Sequence, residues 1–116
     1  DGTQSRDFTF VANAVLANLL AATCEKPLSG EVVNIGSGTR TDLNTLSRTL
    51  ADACGTHHLQ PRYEPARIGD VLHSQADITL ARSLLGYTPV VSLDDGLAQT
   101  LDWYRGVCAP CANGEP

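Results

Sequence analysis

Methionine is missing from the sequence, lysine occurs once (Lys26), tryptophan once (Trp103), and aromatic residues make up only 5% of the chain. Basic residues are scarce too: 8 against 13 acidic ones, for a net charge of −5 at pH 7. Nucleic acids and anionic membranes both need a basic face, so neither is expected as a partner. Long apolar runs are also absent. The longest, Ala14 to Ala22, is interrupted by Asn18 and falls far short of the roughly 20 residues that cross a bilayer. No basic n-region and apolar h-region open the chain, so export has no support and a cytoplasmic setting is expected. The first residues are Asp1-Gly2-Thr3-Gln4, polar and turn-forming, which reads as a piece of something longer.

What is present suits one domain. The chain has 116 residues, 42% of them hydrophobic, and that length can bury roughly two-thirds of the unfolded surface without staples. The 4 cysteines are therefore expected to be reduced thiols. Cys24 closes an apolar helical run, Cys54 precedes Gly55, and Cys108-x-x-Cys111 lies in the stretch from Gly106 to Pro116, which is rich in Gly, Pro and Cys. That stretch is expected to be a disordered tail, leaving residues 1–105 as the folded unit.

Arg6 to Phe10 alternates charged and aromatic residues as an extended lead-in. Val11, Val15, Leu16, Leu19 and Leu20 then recur at helical spacing and predict an amphipathic helix from Val11 to about Cys24. Lys26 to Gly30 turns the chain, and Glu31 to Ile35, short and β-branched, predicts a buried strand. Thr41 is the expected N-cap of a second helix that carries Leu43, Leu46 and Leu50 and ends at Gly55. Gln60 to Pro65, with two prolines, predicts a sheet edge. A short helix from Leu80 to Leu85 stops at Gly86. Ser92 and Asp95 form a capping pair for the last helix. The sum is a small mixed α/β domain of about four helices and two or three short strands.

Several constellations could carry chemistry. Gly36-x-Gly38-x-x-Thr41 follows the expected strand and opens a helix, as phosphate-cradling loops do. A dinucleotide fingerprint wants a third small residue at Thr41 and an acid about 20 residues on. Only Glu64 is available, so a structural loop is expected and no cofactor-binding residue is assigned. Arg6 and Arg67 could fork onto phosphate at roughly 1.5–3 kcal/mol per charged hydrogen bond, and Asp70 could accept from a sugar diol. Residue type alone favours surface ion pairs instead, Arg6 with Asp7 or a neighbour and Arg67 with Asp70. His57, His58 and His73 beside Cys108-x-x-Cys111 raise zinc. The two adjacent histidines and the distant cysteine pair leave no second closed pair, so no metal is expected. Cys108-x-x-Cys111 follows a helix where a redox pair would precede one. No Gly-x-Ser-x-Gly elbow and no Tyr-x-x-x-Lys pair occurs.

Taken in order, several strings resemble one family. Gln4-Ser5-Arg6-Asp7-Phe8-Thr9-Phe10-Val11 is similar to the Gln-x-Arg-Asp-Phe-x-Tyr-Val motif of nucleotide-sugar 4-epimerases, members of the extended short-chain dehydrogenase/reductases. Val33-Asn34-Ile35-Gly36-Ser37-Gly38 resembles their Asn-Ile-Gly-x-Gly strand end. Arg67-Ile68-Gly69-Asp70, then His73-Ser74-x-Ala76-Asp77, resembles their Arg-Pro-Gly-Asp stretch. Leu84-Leu85-Gly86-Tyr87-x-Pro89 and Ser92-Leu93-x-x-Gly96-Leu97 complete the run. Asn13 stands where the family usually has aspartate, and Ile68 where it has proline.

The resemblance implies the C-terminal, substrate-binding region of an NAD-dependent enzyme, detached from its N-terminal Rossmann domain. That missing domain would carry the NAD motif and the catalytic Tyr-x-x-x-Lys, so no catalytic residue is expected here. By motif match, Arg6 and Arg67 would contact the diphosphate of a nucleotide-diphosphate sugar, most simply a UDP-sugar. Phe8 would lie beside them, and Asp70 would accept from the ribose. The fragment would grip the nucleotide without turning over alone. The alternatives are a 4,6-dehydratase parent, or a non-catalytic nucleotide-binding or oligomerisation module. An uncovered face on the Val11–Cys24 helix would favour a homo-oligomer, as a dimer or swapped pair.

Overall fold

The computed structural model describes residues 1–107; Gly106 and Val107, expected in a disordered tail, belong instead to the last helix, and Cys108, Cys111 and the rest of residues 108–116 lie outside the described residues. Two short strands, β1 (Ser5–Arg6) and β2 (Thr41–Asp42), and four helices make up the fold. The helices are α1 (Val11–Ala22), α2 (Leu43–Cys54), α3 (Thr79–Leu85) and α4 (Leu93–Val107). The strands pair antiparallel, with Ser5 opposite Asp42 and Arg6 opposite Thr41. The small mixed α/β architecture is the one expected, with α4 running two residues past Arg105.

Strand β1 is the junction of the molecule. Beyond its pairing with β2, Ser5 forms a parallel bridge to His73. The Ser5 amide donates to Leu72 O at 2.9 Å and the Ser74 amide to Ser5 O at 3.1 Å. The first three amides of α2 are all taken. Leu43 donates to Gln4 O and Asn44 to Gly2 O, while Thr45 donates to Asp42 Oδ1 at 2.9 Å. The N-cap is therefore Asp42, not Thr41 as expected, because it is the Asp42 carboxylate that accepts the Thr45 amide. Gly55, at φ 66°, closes the helix as expected. Its amide reaches Asp52 O and the Thr56 amide Ala51 O, a Schellman turn.

Two expected strands do not form among the described residues. Glu31–Ile35 joins no ladder, and Val32 is 88% exposed, although Val33 and Ile35 pack on the core. A buried strand needs neighbours, and the described residues supply none. Gln60–Pro65 is likewise unpaired and exposed; its two prolines remove ladder donors.

The core is small. Ala17, Ile78, Ala81 and Tyr87 are its buried apolar residues, backed by Leu20, Val33, Ile35, Ala76 and Leu85. Helix α1 does not bury the stripe its periodicity suggests. It turns Asn13 and Ala17 inward, while Val11, Val15 and Leu19 are each at least half exposed.

Candidate functional site

Arg6 projects from β1, whose pairing on both sides fixes its backbone. Its Nη2 lies 2.7 Å from Asp70 Oδ1, and its Nη1 donates to Ser5 O at 2.9 Å and Leu72 O at 3.4 Å. Asp70 ends a turn in which its amide donates to Arg67 O at 3.2 Å. Gly69, at φ +83°, supplies the left-handed residue that this turn needs. The ion pair is therefore Arg6 with Asp70, and neither plain pairing read from residue type occurs. Arg67 is exposed and has no ion pair among the described residues.

Arg67 and Asp70 border a cleft of about 660 Å³ together with Gln4, Asn44, Tyr63 and Leu72. The Tyr63 hydroxyl donates to Asn44 Oδ1 at 2.8 Å across it. Arg6 faces a neighbouring hollow of about 350 Å³ with Asp7, Asn34 and Gly36. The structure thus brings Arg6, Arg67 and Asp70 to one locus. Phe8 is half-buried and borders neither hollow.

Asp7 is the residue that sequence reasoning missed. Its Oδ1 accepts from the Ser37 amide at 2.7 Å, the Ser37 hydroxyl at 2.6 Å and Thr9 Oγ1 at 3.1 Å. Its Oδ2 accepts from the Gly38 amide at 2.9 Å and the Ala76 amide at 3.3 Å. Burial pushes the carboxyl up, but the bonds from Ser37, Gly38 and Ala76 outweigh it and hold Asp7 below the usual carboxylate range. Gly36 makes this closeness possible: a Cβ there would sit 2.6 Å from Ala76 Cβ and 2.7 Å from Asp7 Oδ2.

Two buried side chains complete the corner. The Tyr87 hydroxyl donates to Gly36 O at 2.8 Å. Burial, then the Asp7 charge, raises its pKa. Asn13, fully buried, accepts from the Val90 and Val91 amides at 2.9 and 3.0 Å and donates to Val91 O at 2.8 Å. An ionised aspartate could accept from both amides but could not donate to Val91 O, which gives asparagine a reason to stand there. A composition reading sees Asp7 as one more acid beside an arginine; its partners lie 30 and 69 residues away.

The backbone amides of the glycine loop and of the start of α2 are already bonded within the fold. The Ser37 and Gly38 amides serve Asp7, and those of Leu43, Asn44 and Thr45 serve Gln4, Gly2 and Asp42. Among the described residues no cluster of three or more His, Cys, Asp or Glu could hold a metal. None of the described helices is long and apolar enough to cross a membrane.

No protein-family model matches the chain. Known proteins do. It is 35% identical over 105 residues to a UDP-glucose 4-epimerase of Mycolicibacterium smegmatis, covering 90% of this chain and 33% of that protein. A dTDP-glucose 4,6-dehydratase of Streptomyces niveus is 36% identical over 77 residues, covering 66% of this chain and 23% of that protein. Among solved structures, the UDP-glucose 4-epimerase of Thermotoga maritima with UDP-glucose superposes at a TM-score of 0.84 and 40% identity, over 93% of this chain and 34% of that one. A Bacillus cereus UDP-glucuronic acid 4-epimerase with UDP-glucuronic acid and NAD gives 0.84 at 32%, over 92% and 34%. The chain spans about a third of the length of these epimerases. Across that third, the chain is a homologue of the NAD-dependent UDP-sugar 4-epimerases, the family its motifs resemble.

Proposed function

We propose that this chain is the part of a nucleotide-sugar 4-epimerase that grips the nucleotide diphosphate of the sugar donor, a UDP-sugar, and that it does not turn over alone. The observation carrying this reading is the meeting of Arg6 and Asp70 at 2.7 Å beside Arg67, which has no ion pair among the described residues. Two guanidinium forks suit a diphosphate and a carboxylate suits a ribose diol. The complexes of the Thermotoga and Bacillus epimerases with UDP-sugars favour the same ligand class. Phe8, which the motif match places beside the diphosphate arginine, borders neither hollow, so the grip rests on Arg6, Arg67 and Asp70. Binding energy of this remote kind positions the reacting carbon without touching it.

In the full-length enzyme NAD would supply hydride chemistry at the sugar. The described residues supply it no phosphate cradle, so this chain's share is grip and orientation. The partner is then a Rossmann domain outside this sequence, in a cytoplasmic enzyme. The exposed Val11, Val15 and Leu19 face of α1 is what such a domain, or a second copy in a homo-oligomer, would cover. The Streptomyces match keeps a 4,6-dehydratase as the second reading. Calorimetric titration with UDP tests the grip: binding should weaken with salt and vanish in Arg67→Ala. A folded chain that ignores millimolar UDP contradicts the reading.

A further inference from the structure

Arg6 and Asp70 have different tasks in the proposed grip, one toward phosphate and one toward a diol, yet in the structure they hold each other. Among the described residues, every hydrogen bond of the Arg6 guanidinium goes to the protein. Its Nη2 donates to Asp70 Oδ1 at 2.7 Å, and its Nη1 to Ser5 O and Leu72 O. A carboxylate and a phosphate offer a guanidinium the same thing, a pair of anionic oxygens. A phosphate that takes the Nη2 side of Arg6 must therefore displace Asp70.

The two partners are not equally free to move. Arg6 stands on a strand paired on both sides, and its Nη1 bonds keep the guanidinium in place if Asp70 leaves. Asp70 sits on the looser side: all of Arg67 to Asp70 is exposed, Ile68 fully so, and Gly69 takes φ +83°. The side chains of the pair are 30% and 44% exposed, and ion pairs this open favour the closed state by no more than about fivefold. The carboxylate is the partner that yields. Other charges nearby are committed elsewhere, Arg62 to Glu64 and Asp7 to Ser37, Gly38 and Ala76. Among the described residues, Asp70 is the one acid that pairs with Arg6 or Arg67.

We propose that Asp70 determines specificity by competition: it occupies Arg6 against bare phosphate anions and yields it to a ligand that brings a ribose diol. Displacement by pyrophosphate leaves the carboxylate with no new partner on the ligand and a like charge beside it. Displacement by a nucleoside diphosphate supplies two hydroxyl donors to the same carboxylate, so the lost ion pair is replaced within one ligand. Selectivity then comes from an element set against the wrong anion as well as from attraction to the right one. The inference rests on the nucleotide-diphosphate reading of this site and adds what the site refuses.

The test is calorimetric titration of the 116-residue chain and its Asp70→Asn variant with UDP, 2′,3′-dideoxy-UDP and pyrophosphate at one salt concentration. Asparagine keeps the shape and an acceptor oxygen and loses the charge; Asp70→Ser serves as a second variant with the same expected sign. The wild type should prefer UDP over both other ligands. Asp70→Asn should bind pyrophosphate about fivefold tighter, and its preference for UDP over the dideoxy analogue should shrink. In an Arg6→Ala background the same change should gain nothing. Asp102→Asn removes a carboxylate of α4 that borders neither hollow and should leave pyrophosphate binding as it is. Unchanged or weaker pyrophosphate binding in Asp70→Asn overturns the competition, and so does an equal gain in Asp102→Asn. A wild type that ignores UDP while Asp70→Asn gains pyrophosphate contradicts the nucleotide reading and upholds the competition for Arg6. UDP binding by the wild type with no gain in the variant does the reverse.

Discussion

Two regions of this molecule are built on opposite principles. The corner around Asp7, Asn13 and Tyr87 is closed: each of these side chains has hydrogen-bond partners, and Gly36 lets the segments meet at contact distance. The stretch from Gln60 to Asp70 is open. Every residue in it is exposed, Ile68 entirely so, and its fold-wide anchors are the Asp70–Arg6 pair and the Tyr63–Asn44 bond. The closed corner holds β1 in place, and β1 presents Arg6 to the open stretch. Stability and grip are therefore assigned to different residues, and substitutions should separate them.

The largest effect is expected at Asn13. Asn13→Leu removes a fully buried side chain's bonds to two amides and a carbonyl and should cost about 3 kcal/mol, read as a lower urea midpoint; loss of cooperative unfolding would be the extreme form. Asp7→Ala should cost less, about 2 kcal/mol, because water can reach the half-buried amides it leaves. Asp7 also predicts a pH dependence. Its folded pKa lies below the unfolded value of about 3.9. The stabilisation is therefore full above that value and is lost as pH falls through the folded pKa. Acid unfolding should accordingly be less steep in Asp7→Ala than in the wild type below about pH 4. Gly36→Ala should destabilise by about 1–2 kcal/mol through overlap with Ala76 and Asp7. At the small end, Arg67→Ala should change stability by no more than about 0.5 kcal/mol while removing UDP binding. A large loss of stability there would erase the contrast between the two regions.

The same contrast explains what could be read before the structure. Helices were legible because their signals are local: Gly55 and Gly86 end α2 and α3 where the left-handed cap allows it, and Ser92 caps α4 through Asp95. The expected helix α1 forms, but its inward face does not follow hydrophobicity. Asn13 and Ala17 go in, and Val11, Val15 and Leu19 stay out, since nothing among the described residues covers the face their periodicity marks. Glu31–Ile35 has the composition of a buried strand for the same reason, lacking only the neighbours. In the candidate site, the motif match singles out Arg6, Arg67 and Asp70, which the fold brings near one another. Their partnering was not, because a pair 64 residues apart leaves no mark on spacing. Asp7 was hidden for that reason as well: its role lies in distant amides, and amides have no residue type.

The most direct test of the division between scaffold and grip is an amide-resolved NMR titration of the chain with UDP. The account predicts shifts gathered at Ser5–Phe8 and Arg67–Leu72, with the amides bonded to Asp7 and Asn13 unmoved. Shifts centred on Gly36–Gly38 would mean that the glycine loop takes the phosphate after all, and would contradict the account.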